Sequence, residues 1–84
     1  MSPDEQAVAA EIRRIARDEL QSRVAFADDE ELASRLDSLA LLSLVVAVED
    51  RFHVVLGEED ASRIRSLADL SRLVAARAPA ELLP

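Results

Sequence analysis

The 84-residue sequence has no cysteine, tyrosine or tryptophan, and it has only one glycine and one histidine. Without cysteine the chain has neither disulfides nor a thiolate of its own, so any thiol chemistry must come from a group added to it. Because two phenylalanines are the only large aromatic residues, Leu, Val, Ile and Ala must build the core. That composition favours helices over sheets.

Basic residues are also scarce: the chain has ten of them and 17 acidic residues, which gives a formal net charge of −7. This charge argues against nucleic acid as a partner, because binding to phosphates depends on Lys and Arg. A basic protein fits better, although excess acid also keeps a small domain soluble and monomeric. No apolar run reaches membrane-spanning length, and the acidic N-terminus does not resemble a signal peptide. We therefore expect a monomeric, cytoplasmic protein that does not bind membranes.

The length suits one small domain. Ser2 and Glu5 have the spacing of a capping box, which predicts a first helix from about residue 3 to residue 20 or 21. Periodicity then fails over residues 22–37, which predicts a long loop with a short helical turn around residues 29–33. The apolar side chains expected to hold this loop on the core are Phe26, Leu32 and Leu36.

A second helix is predicted from the capping residue Asp37 to Phe52. Its Val-rich middle has strand propensity, but its length, its cap and the absence of alternation favour a helix. A helical wheel places five residues on one core-facing stripe: Leu41, Leu44, Val45, Val48 and Phe52. Leu39 and Val46 fall on the opposite side and Leu42 between the two, which predicts an exposed apolar ridge beside Ser38. The alternative is a helix that is buried all round.

A short third helix is predicted over residues 58–63, where acid in the first turn suits the helix dipole. Ser66 and Asp69 have the spacing of a second capping box and begin a fourth helix. Its apolar face is Leu67, Leu70, Leu73 and Val74. We expect one domain over residues 1–77, a flexible, proline-broken tail over residues 78–84, and an all-α four-helix bundle with a long first loop and a short third helix.

Residue patterns for catalysis or metal binding are missing. Ser38 stands at the first position of the second helix, where serine is ordinarily a capping-region residue. The only histidine, His53, stands about four turns away, so a catalytic triad is unsupported. The acidic run 28–31 lacks the ligand pattern of a calcium loop, and no glycine-rich phosphate loop is present.

Asp37-Ser38-Leu39 is followed by a long apolar helix and then, in order, by the segments 56–61 and 64–70. This arrangement resembles the acyl carrier proteins over about residues 5–77. The resemblance implies a four-helix bundle in which a phosphopantetheinyl transferase attaches 4'-phosphopantetheine from coenzyme A to Ser38. The thiol of this arm would carry acyl groups as thioesters between enzymes of the acyl-transferring or ketosynthase type, and the carrier itself would not be an enzyme.

By the same resemblance, six residues match positions that such carriers present to their partners: Asp37, Leu39, Leu42, Val46, Glu49 and Asp50. The chain departs from fatty-acid carriers in having Ala40 and Ser43 where acid is common. A more apolar partner face favours a specialised pathway, such as polyketide biosynthesis, over general fatty-acid synthesis. Two alternatives stay open: a peptidyl or aminoacyl carrier, and an unmodified helical interaction module.

Overall fold

The structure is a computed structural model that describes residues 1–20 and 27–84. Its four α-helices, in chain order, are α1 (Pro3–Leu20), α2 (Ser38–Phe52), α3 (Glu58–Arg63) and α4 (Leu67–Arg77). Two short 3-10 turns are added at Leu32–Ser34 and Ala80–Leu82. Within the described ranges there is no β-strand, only an isolated bridge between Glu31 and Ser66. The predicted all-α bundle with a short third helix is confirmed.

The two predicted capping boxes fix the starts of α1 and α4. The Ser2 hydroxyl accepts a hydrogen bond from the Glu5 amide at 3.1 Å, and the Glu5 carboxylate accepts one from the Ser2 amide at 2.7 Å. At α4, the Ser66 hydroxyl accepts from the Asp69 amide at 3.1 Å, and the Asp69 carboxylate accepts from the Ser66 amide at 3.2 Å. Each box satisfies backbone donors that a helix start otherwise leaves unpaired.

The core lies where α1 packs against both α2 and α4. It is closed by fully or almost fully buried apolar side chains of these three helices: Val8, Ala9, Ile12, Ile15, Ala16, Leu44, Val48, Phe52, Leu67, Leu70 and Val74. Of the stripe predicted on α2, Leu41 and Val45 are only half-buried. Val45 is at the edge of the stripe, whereas Leu41, near its centre, lies in the first turn of α2 and borders a surface pocket with Leu32 and Ile64.

The loop before α2 is held on the core as predicted by Leu32 and Leu36, both of which are buried. Phe26, the third predicted anchor, lies outside the described residues. Backbone hydrogen bonds join this loop to the start of α4: the Leu32 amide donates to the Arg65 carbonyl, and the Ala68 amide donates to the Asp28 carbonyl, both at 2.8 Å. The helical turn expected around residues 29–33 forms instead at Leu32–Ser34, where the buried Leu32 begins it.

The segment after α4 makes defined contacts. Arg51 donates from Nη1 to the Leu82 carbonyl at 3.0 Å, and Leu83 packs half-buried against the core. The domain boundary at residue 77 and the flexibility of residues 78–84 stay predictions. None of the helices in the described ranges is both long and apolar enough to cross a membrane.

Candidate functional site

Ser38 is the first residue of α2 and its side chain is exposed. Asp37 immediately before it has extended backbone geometry, and its carboxylate accepts a hydrogen bond from the Ala40 amide at 2.8 Å. On the other side of Asp37, Leu36 is buried and fixes the end of the loop. Ser38 is therefore an exposed residue at the junction between an anchored loop and a capped helix.

Among the described residues, no base is in hydrogen-bond contact with the Ser38 hydroxyl. In the described part of the chain, no side-chain hydrogen bond reaches Ser38 Oγ. His53 follows the far end of α2, and 15 helical residues at about 1.5 Å each put it roughly 22 Å away. Nor is there, within the described ranges, a group of three or more His, Cys, Asp or Glu side chains that could hold a metal ion.

The apolar ridge predicted on α2 is present. Leu39 is 74% exposed, Leu42 is 60% exposed and Val46 is 47% exposed. The alternative that α2 is buried all round is therefore wrong. Asp50 continues the same exposed face toward the end of the helix. The sequence did not single out Val55, which is 82% exposed in the loop after α2, because an isolated valine in a loop gives no periodic signal.

Five of the six predicted partner residues are exposed, whereas Glu49 is half-buried. The Glu49 carboxylate accepts a hydrogen bond from the Leu56 amide at 2.8 Å, and its backbone carbonyl accepts one from the Val54 amide at 3.2 Å. Glu49 thus holds the turn that leads from α2 toward α3. His53 makes this turn with a left-handed φ of 53°. Sequence reasoning missed the structural role of Glu49 because the contact spans seven residues.

A groove of about 660 Å³ runs along the surface between α1 and α2, next to the ridge. On α2 its lining includes Ser43 and Ala47, whose small side chains leave the space open, and Leu42 and Val46 of the ridge. The sequence contained the small residues, but only the packing of α1 beside them shows that they border a groove.

Arginine side chains fix the short helix α3 and the middle of α1. Arg77 of α4 donates two hydrogen bonds, at 2.6 and 2.8 Å, to the Asp60 carboxylate of α3. With a further bond from the Gly57 amide, they lower the pKa of Asp60 to about 2. Glu11 accepts from Arg14 and Arg51, which lowers the pKa of its carboxylate too. These arginines are thus engaged within the bundle.

Comparison with known proteins identifies the family. The sequence matches the phosphopantetheine attachment site family (PP-binding) over residues 10–74, which is more than half of the chain and includes all of α2. Neither the comparison with curated proteins nor that with solved structures gave a match. An exposed serine at a capped helix start, in a chain with no thiol, fits an arm that is attached from outside and supplies one. The chain belongs to the phosphopantetheine attachment site family, as expected of an acyl carrier protein, and is a carrier of 4'-phosphopantetheine, not an enzyme.

Proposed function

We propose that Ser38 bears the 4'-phosphopantetheine arm and that the chain carries acyl groups on it as thioesters. The observation that carries the proposal is the exposed Ser38 hydroxyl at the start of α2, in a chain with no cysteine. A phosphodiester placed there is favoured by the unpaired amides and the dipole of the helix N-terminus. When bound, the arm supplies the thiol that the chain lacks.

Comparison with the other serines supports this choice. Five other described serines already use their hydroxyls in hydrogen bonds: Ser2, Ser34, Ser62, Ser66 and Ser71. Among the described residues, only Ser38 and Ser43 have hydroxyls outside such bonds. Ser43 lines the groove in the second turn of α2, away from the helix end. It therefore provides a matched control for Ser38.

The role of the chain in loading is to present a nucleophile. The Ser38 hydroxyl would attack the pantetheine-linked phosphate of coenzyme A, so that the pyrophosphate bond breaks, the phosphodiester forms and adenosine 3',5'-bisphosphate leaves. A phosphopantetheinyl transferase would bind coenzyme A and supply the base that takes the serine proton. The test is to incubate the chain with a broad-specificity transferase and coenzyme A and to measure intact mass. The wild type and Ser43→Ala should gain one arm, whereas Ser38→Ala should gain none. A wild type that never gains the arm would refute the proposal and favour an unmodified interaction module.

The ridge supports the finer assignment to a specialised acyl pathway, such as polyketide biosynthesis. Three large apolar side chains are exposed on α2, whose outer face has Ser43 where an acidic residue would strengthen a charge-based interface. We propose that transferases and acyl-transferring or ketosynthase-type enzymes bind this face. The residues that would contact them are Asp37, Leu39, Leu42, Val46, Glu49 and Asp50. The carrier would work as a cytoplasmic monomer.

Loading assays separate the acyl proposal from the peptidyl or aminoacyl one. The carrier with its arm is offered acyl donors with acyltransferases and amino acids with adenylating enzymes, and the thioester is detected by mass. Acyl loading alone is expected, since the net charge of −7 and Asp37 before the serine fit the acyl type. Loading by amino acids alone would assign the chain to the peptidyl type.

A further inference from the structure

The groove between α1 and α2 is lined on α2 by residues from Leu42 to Arg51, after the first turn of that helix. Its two walls differ in character. Leu42 and Val46 form an apolar wall on the α2 side, whereas Asp18 and Glu19 line the α1 side. The space between them exists because Ala47 and Ser43 are small. A volume of about 660 Å³ accommodates several side chains of a docked segment.

The direction of the two helices places the acidic wall toward Ser38. Arg51 near the end of α2 donates from Nε to the Glu11 carboxylate in the middle of α1 at 2.9 Å. The groove joins the part of α1 after Glu11 to the part of α2 before Arg51. The helices therefore run antiparallel along it. Asp18 and Glu19 consequently lie toward the end of the groove that is nearer to Ser38.

The charge that the groove offers to a partner is negative. Its two arginines are engaged: Arg14 pairs with Glu11 and Asp18, while Arg51 pairs with Glu11 and also donates to the carbonyl of the C-terminal turn. Glu19 and Asp50, in contrast, form no ion pair with any residue in the described ranges. A basic side chain can therefore approach them without displacing an ion-pair partner from the described part of the chain.

We propose that this groove is a second contact surface for the enzymes that handle the carrier, so that α1 takes part in recognition beside α2. Its occupant is a helical segment of a partner enzyme that presents an aliphatic side chain flanked by arginine or lysine. The aliphatic group packs on Leu42 and Val46 and the cation faces Glu19 or Asp50. The inference rests on the proposed carrier function. A second copy of this chain is a poor occupant because it also carries a charge of −7.

The test uses a synthetic 15-residue helical peptide with two leucines one turn apart and flanking arginines. It is titrated into the ¹⁵N-labelled full chain, and amide shifts are followed by NMR. Saturable shifts are expected along residues 14–19 and 42–50. A peptide with glutamates in place of the arginines should not bind. Glu19→Arg should weaken binding, raising the dissociation constant about three- to tenfold. This is the range expected when an exposed charge pair becomes repulsive.

The matched control is Glu81→Arg, which makes the same change in net charge at an exposed residue outside the groove. It should leave the dissociation constant within about twofold, because salt screens an exposed charge that does not line the groove. If both variants bound the peptide equally weakly, only the net charge of the chain would determine the affinity, and the proposal would be overturned. Shifts that spare α1, binding of the glutamate peptide, or no saturable binding would overturn it too. Arm attachment is scored separately by intact mass. Modification of Ser38 without groove binding would therefore refute this inference alone.

Discussion

Asp37 stands next to Ser38 and has two roles that substitution can separate. Its carboxylate caps α2 through the Ala40 amide at 2.8 Å, and its charge stands beside the proposed attachment serine. Asp37→Ala removes both the cap and the charge. Asp37→Asn retains a capping oxygen, because Asn and Asp are similarly good N-caps, but removes the charge.

The magnitude follows from the cap. Loss of an N-cap oxygen costs about 1 kcal/mol, and in a domain of this size each 1 kcal/mol shifts the melting temperature by about 4–8 °C. Asp37→Ala should therefore melt about 4–8 °C lower than the wild type. Asp37→Asn should stay much closer to the wild type, because it loses only the charge's interaction with the helix dipole.

The assay combines thermal unfolding followed by circular dichroism with the kcat/KM of the transferase reaction. If partners recognise the charge of Asp37, both variants should lose kcat/KM by a similar factor, although only Asp37→Ala is clearly less stable. An Asp37→Ala variant that melts like the wild type would refute the capping argument. An Asp37→Asn variant with unchanged kcat/KM would refute recognition of the charge.

Three further predictions concern the core, the acid stability and the ridge. Leu44→Ala should lower the free energy of unfolding by about 2–5 kcal/mol in urea titrations, whereas Leu42→Ala should change it by no more than about 0.5 kcal/mol, because Leu44 is buried and Leu42 is 60% exposed. Asp60 has its pKa lowered from 3.8 to about 2, mainly by Arg77, so its contribution to stability is complete above pH 3.8 and is lost as pH falls toward 2. Asp60→Asn should therefore lose stability less steeply in that window in an acid titration of the circular dichroism signal, and an unchanged slope would contradict the ion-pair argument. Val46→Glu should lower the kcat/KM of arm transfer with little loss of helical signal, and a large loss would show that Val46 supports the fold.

Local patterns predicted most of the fold. The capping boxes at Ser2 and Ser66 and the cap at Asp37 involve residues three apart, so the sequence alone was enough to locate these helix starts. The ridge could be predicted for the same reason, since helical spacing places Leu39 and Val46 opposite the core stripe. The serine itself was different: its pattern indicated a cap, and only the resemblance to carriers suggested attachment of an arm.

Contacts between distant segments could not be predicted. Glu49 was assigned to the partner face, but its carboxylate also bonds the Leu56 amide, a contact that depends on the path of the following turn. The groove requires α1 to pack beside Ser43 and Ala47. The periodicity of either helix alone does not predict which residues of the other helix lie next to it. The same holds for Arg51, which joins α1, α2 and the C-terminal turn.

The central claim, attachment at Ser38, is tested most directly by locating the arm in the modified protein. After treatment with a transferase and coenzyme A, the chain is digested and the peptide that contains both Ser38 and Ser43 is fragmented by tandem mass spectrometry. The account predicts one phosphopantetheine group on Ser38 and none on Ser43. An arm on any other serine, or no arm on the wild-type chain, would contradict it.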